Sequence, residues 1–203
     1  MKNRLKEKSK SELDKLEKLW FDKNSSEILE GWPVNERDEN YYVNLIYQQI
    51  VFNLPILENG NILVLGTHNC VSFDKLCKNF DNIKCIGFDL FNPTNHPNVI
   101  IKDCAFLSQN DNLPISFCHN DISSFWIDPE LKLSCQEWAA KNVIKGGFFL
   151  GNNNYNKPRY DIEGMMEKLG FKNIQLKQYC KEKNINIGID ENMLRGYMIS
   201  IKL

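Results

Sequence analysis

The chain lacks any long hydrophobic run. Its apolar stretches are short, such as "NVII" and "GGFFL". None approaches the roughly 18 residues that cross a bilayer. The lysine-rich start "MKNRLKEKSK" is not followed by an apolar segment, so a secretory signal is not expected. An excess of charge is lacking as well: 25 Lys and Arg face 26 Asp and Glu, for a formal net charge of −1. That leaves no long-range pull toward nucleic acid or an anionic membrane, and neither is expected as a partner. Histidine is scarce, with three residues, and the seven cysteines contain no Cys-x-x-Cys. Paired ligand spacing of the kind that builds a zinc site is absent, so no metal is expected. The odd cysteine count, and the position of Cys85, Cys104 and Cys118 inside apolar runs, point to reduced thiols in a cytoplasmic compartment. Glycine is sparse where it matters most. The stretch "NILVLGTHNCVSF", residues 61–73, holds only Gly66. A dinucleotide pyrophosphate needs Gly-x-Gly-x-x-Gly for close backbone approach, so an NAD(P)-type site is not expected.

What is present is enough for one sizeable core: 203 residues, 42 % hydrophobic. Near the N-terminus, Leu13, Leu16, Leu19 and Trp20 recur at helical spacing, and Ser11 with Asp14 forms a capping pair. The segment "DENYYVNLIYQQIVFNL" carries a second helical stripe, Tyr42, Leu45, Ile46, Gln49 and Ile50, with Asp38 as its cap and Pro55 at its end. From Asn61 onward, apolar runs alternate with helical stretches. The strand candidates are residues 61–66, 84–90, 98–103, 115–120 and 146–152. Helices are expected in "VSFDKLCKNF", in "DPELKLSCQEWAAKNVIKGG" up to Gly146, and in "DIEGMMEKLGF". "KNIQLKQYC" and "GYMISIKL" read as two closing strands. Near-continuous apolar strands separated by helices argue for a parallel sheet covered on both faces.

In such a sheet, ligands bind beyond the carboxyl ends of the strands. The second run ends at Asp89, a carboxylate placed to accept the two hydroxyls of a ribose, with Leu90 and Phe91 offering an apolar face to a base. The plainer alternative is a turn cap. Asp103 ends the third run, where it would accept from an adenine amine while the N–H of Cys104 or Ala105 donates to a ring nitrogen. The fourth run ends "FCHNDISSFW". His119 or Asp121 is the candidate general base there, since either would serve near neutral pH with a tuned pKa. Asn152, Asn153, Asn154 and Tyr155 end the fifth run and reach the same crevice.

This succession resembles the class I, Rossmann-like, S-adenosylmethionine (SAM)-dependent methyltransferases over roughly residues 60–203. The resemblance rests on Asp89, Asp103, the polar loop after the fourth strand, the Gly146–Gly147 pair before the fifth, and two final strands. It implies a seven-stranded, mostly parallel α/β sheet of order 3-2-1-4-5-7-6 with strand 7 antiparallel, and helices on both faces. It implies two regions: an N-terminal helical cap at 1–58, with Trp32, Tyr41 and Tyr42 as candidates to close over the cofactor, and the SAM-dependent domain at 59–203. It further implies that Gly66, Thr67, His68 and Asn69 meet the methionine end of SAM. Asp89, Leu90, Asp103 and Cys104 would hold the nucleoside, and His119 and Asp121 would lie near the transferring methyl. The opening stretch departs from the family. Val64 stands where an acid is usual, and His68 and Cys70 replace the second and third glycines of Gly-x-Gly-x-Gly. Two functions follow: methyl transfer to an O or N acceptor, on a small molecule, or a methyltransferase-like binding protein without catalysis. The sequence "CHND" lacks the Pro-Pro-aromatic signature of DNA amino methylation.

Overall fold

The computed structural model describes residues 9–12, 15, 36–67, 70–89, 92, 94–102, 112–121, 129–152, 162–186, 188 and 197–203. In chain order its elements are α1 (Glu36–Gln49), a 3₁₀ turn (Val51–Asn53), β1 (Asn61–Leu65), α2 (Val71–Asn79), β2 (Cys85–Asp89), β3 (Val99–Ile101), β4 (Ile115–Asn120), α3 (Pro129–Asn142), β5 (Val143–Asn152), α4 (Ile162–Lys168), β6 (Phe171–Gln175), α5 (Leu176–Lys183) and β7 (Tyr197–Lys202).

All seven of these strands share one sheet of order β3-β2-β1-β4-β5-β7-β6. The β1–β2, β1–β4, β2–β3 and β4–β5 pairings are parallel, while β7 runs antiparallel to both β5 and β6. This is the architecture the sequence resemblance implies. The central strands read as unbroken apolar runs because both their faces are covered. Ile62, Val64, Phe117, Phe148 and Leu150 face one cluster, built with α1, α2 and α5. Leu63, Leu65, Cys118 and Phe149 face the other, built with α3 and α4.

Four details differ from the sequence reading. The first helical turn is closed by Ser9 and Glu12, and Ser11 lies inside that turn rather than at its cap. The Glu12 N–H donates to Ser9 Oγ at 3.4 Å, and the Ser9 N–H donates to the Glu12 carboxylate at 2.7 Å. Asp14 lies outside the described residues. Helix α1 begins at Glu36, so Asp38 sits inside its first turn, and the buried stripe is Val43, Ile46, Tyr47 and Ile50, with Gln49 exposed. Helix α3 stops at Asn142 and not at Gly146. The Asn142 amide donates to the Trp138 carbonyl at 2.9 Å, and its Oδ1 accepts the Leu113 N–H at 3.1 Å. Strand β5 therefore starts at Val143, and the extra residues before Phe148 form an irregularity opposite Ile115 and Phe117, with Gly146 at φ +81°. Lastly, only the first part of "KNIQLKQYC" is strand. Leu176 and Cys180, one helical turn apart, are buried on the inner face of α5, and this spacing overrides the alternation.

Candidate active site

The carboxyl ends of β1, β2 and β4 converge on one edge of the sheet. The Gly66 N–H donates to the Phe88 carbonyl of β2 at 2.9 Å, and the Leu65 carbonyl accepts the Asp121 N–H at 2.8 Å. Gly66, Thr67, Asp89 and Asp121 thereby lie side by side at that edge. Gly66 has φ +84°, a conformation that glycine adopts without the steric cost met by a side chain. The turn continues through the Cys70 N–H, which donates to the Thr67 carbonyl at 2.8 Å, and enters α2 at Val71. His68, Asn69, Leu90, Asp103 and Cys104 lie outside the described residues, as do Phe91, Trp32, Asn153, Asn154 and Tyr155. Tyr41 and Tyr42 lie in α1.

Thr67 is buried, and its hydroxyl approaches Asp89 Oδ2 at 3.5 Å. This long hydrogen bond joins the turn after β1 to the end of β2. Its close packing has a visible cause: a Cβ on Gly87 would stand 2.6 Å from Thr67 Cγ2 and 3.1 Å from the Phe73 ring. The glycine inside "KCIGFDL" marks that close approach. Cys70 keeps the left-handed backbone of a glycine, with φ 65°, at a cost of about 1–2 kcal/mol. Its thiol donates toward Thr67 Oγ1 at 3.8 Å and Asn92 Oδ1 at 3.9 Å. Asn92 in turn folds the loop after β2, accepting the His96 N–H at 2.8 Å and donating to the His96 carbonyl at 3.0 Å.

On β4, His119 and Asn120 take opposite faces. His119 is 1 % exposed. Its Nδ1 lies 2.7 Å from the Tyr47 hydroxyl, and the rings pack edge to face at 5.5 Å. Burial, and then the nearby Asp121 carboxylate, push the Tyr47 phenol well above its ordinary range, so it stays protonated. Sequence reading missed Tyr47 because the stripe of α1 was set one position off. Asn120 is 3 % exposed, and its Oδ1 has no hydrogen-bond partner among the described residues. It stands opposite Leu65, next to the Gly66 turn. A buried, unpartnered carbonyl at a strand end is costly unless a ligand or water meets it. Asp121, one residue on, is only partly buried.

No protein-family model matches the chain, and no curated protein sequence does. Solved structures match it in shape. A TehB-like SAM-dependent methyltransferase from Corynebacterium glutamicum aligns with a TM-score of 0.55 at 10 % identity, over 96 % of this chain and 100 % of that one. A SAM-dependent methyltransferase from Archaeoglobus fulgidus gives 0.53 at 15 % identity, over 91 % and 99 %. The fold is that of the class I SAM-dependent methyltransferases. A larger structure of similar shape, phosphoethanolamine N-methyltransferase 1 of Haemonchus contortus with phosphoethanolamine and S-adenosylhomocysteine, gives 0.54 at 11 %, over 94 % of this chain and 49 % of that one. Within the class I fold, Val64 is 2 % exposed and sits in an apolar cluster. Cys70 holds the third glycine position with its side chain turned toward Thr67 and Asn92.

Proposed function

We propose that the chain binds SAM over the ends of β1, β2 and β4 and transfers its methyl group to an oxygen or nitrogen acceptor on a small molecule. The observation that carries this reading is Asp89 at the end of β2, tied through Thr67 to the left-handed Gly66 turn that opens α2. The buried Asn120 Oδ1 without a partner supports a polar ligand at the same edge. Bound there, SAM supplies an electrophilic methyl group on a sulfonium. Gly66, Thr67, His68 and Asn69 take its methionine end, with backbone N–H groups at the start of α2 facing the carboxylate. Asp89 and Leu90 take the ribose and base, and Asp103 and Cys104 the adenine edge. His119 and Asp121 border the methyl. Of the two, partly exposed Asp121 is the one we assign to proton acceptance, and His119, enclosed with Tyr47, positions the end of β4. Most of the rate comes from orientation and exclusion of water. The free thiols Cys70, Cys77, Cys85, Cys118, Cys135 and Cys180 fit a reducing, cytoplasmic setting.

Calorimetric titration with SAM and S-adenosylhomocysteine tests this. Binding of either at micromolar concentration, lost in Asp89→Ala, is expected; no heat for either ligand at high micromolar protein and ligand overturns it. A second reading, a methyltransferase-like binding protein without catalysis, is favoured by one observation: Val64 fills apolar core where the family's amino-group anchor stands. It prevails if Asp89→Ala loses SAM and the protein's cellular effect persists.

A further inference from the structure

Cys77 of α2 and Cys85, the first residue of β2, lie on one cleft at the end of β2 opposite Asp89. Both line a cleft of about 450 Å³, together with Asp81, Lys84, Asn98 and Ile100. A volume of this order holds a small molecule. The two thiols are free and border the same cleft. The Asn98 amide donates to Cys77 Sγ at 3.8 Å, and the Cys85 thiol also points at the Ile83 carbonyl, 3.6 Å away. Cys77 is half-buried and Cys85 is nearly enclosed. The Cys85 thiol, and against some burial the Asn98 amide, hold the Cys77 thiol below its ordinary value, while pairing with Cys77 pushes Cys85 up. This asymmetry suits exchange chemistry, in which a thiolate attacks and a neighbouring thiol resolves. The other close pair, Cys118 and Cys135, sits in the core cluster under α3 and reaches no such cleft.

We propose that this cleft is a thiol–disulfide exchange site, at which Cys77 attacks a zwitterionic low-molecular-weight disulfide and Cys85 resolves the adduct. The Cys77 sulfur forms a bond to one sulfur of the small disulfide, whose S–S bond breaks, and the first small thiol leaves with the electron pair. Cys85 gives its proton to that thiolate or to water, and its sulfur attacks the Cys77 sulfur. The mixed disulfide breaks, and the second small thiol leaves. Cys77 and Cys85 are oxidised to one disulfide, and the small disulfide is reduced to two thiols. Lys84 and Asp81 at the rim supply one charge of each sign, which matches carboxylate and ammonium groups on such a ligand. The proposal stands independently of SAM binding.

The native protein is exposed to glutathione disulfide, alkylated, digested without reduction and read by mass spectrometry. The expected product is a Cys77–Cys85 disulfide formed before any change at Cys118, Cys135 or Cys180. Cys85→Ser is expected to trap glutathione on Cys77, and Cys77→Ser to leave Cys85 unmodified; Ala versions of both, checked by circular dichroism, repeat the reading if a Ser variant unfolds. Lys84→Gln is expected to slow the reaction with glutathione disulfide several-fold and to leave the rate with uncharged hydroxyethyl disulfide unchanged. The exchange site is overturned if Cys77 and Cys85 stay reduced, react no faster than Cys180, or if Cys85→Ser traps glutathione elsewhere. Equal effects of Lys84→Gln on both reagents overturn the zwitterionic ligand.

Discussion

At the scale of single residues, the crevice depends on a position that has no side chain at all. Gly87 lets Thr67 and the Phe73 ring lie against β2, and a Cβ there would meet both at less than ordinary contact distance. Thr67 Cγ2, at 2.6 Å, has to move, and with it the hydroxyl that reaches Asp89. Gly87→Ala is expected to cost about 1–3 kcal/mol, the usual penalty for adding a methyl to a packed site. Urea denaturation reads that cost. SAM titration of the still-folded variant is expected to show weakened binding, and an unchanged affinity would mean that Thr67 does not set the position of Asp89. The sequence marks residues 84–90 only as a strand, and the steric need for this glycine shows in the packing alone. Tyr47 was illegible as well. A single helix stripe fits two neighbouring registers, and only the partner across the core, His119, selects the one that buries Tyr47.

At the scale of elements, boundaries were harder to read than elements themselves. Strands β1, β2 and β4 stood out because they are buried on both faces and rich in apolar residues. The junction between α3 and β5 did not stand out, because Gly146 looks like a helix stop. The stop is a side chain instead. Asn142 bonds back to the Trp138 carbonyl and forward to the Leu113 N–H, so one residue ends the helix and holds the chain entering β4. Removing it leaves the Leu113 N–H without that acceptor. Asn142→Ala is expected to cost about 1–2 kcal/mol, measured by urea denaturation, and to raise hydrogen exchange at Leu113 more than at residues of β1. Asn142→Asp keeps the acceptor for Leu113 and is expected to protect that amide where Ala does not. Equal exchange in both variants would refute the Leu113 role.

At the scale of the whole molecule, the strand order came from likeness in the succession of motifs, since spacing alone does not say which strand lies beside which. The order then places α1 against β4, and so buries an ionisable ring deep between helix and sheet. Tyr47 is pushed well above its ordinary value of 10.0, first by burial and then by Asp121. Cys118 is pushed well above 9.0, first by burial. Below pH about 9, folded and unfolded chains both keep these protons, and the groups add no pH dependence. As pH rises through the unfolded values, the unfolded chain releases protons that the folded chain retains. Unfolding is then favoured by about 1.4 kcal/mol per pH unit for each fully separated group. Lys202 acts in the opposite sense, because burial lowers its value from 10.5, so the loss is partly offset until the unfolded lysine also titrates. Urea midpoints are expected to fall from pH 9 upward and more steeply above pH 10. Tyr47→Phe is expected to begin less stable at neutral pH, having lost the bond to His119, and to lose stability less steeply above pH 10. Parallel pH profiles for the two proteins would mean that the Tyr47 phenol ionises in the folded chain, which its enclosure between α1 and β4 forbids.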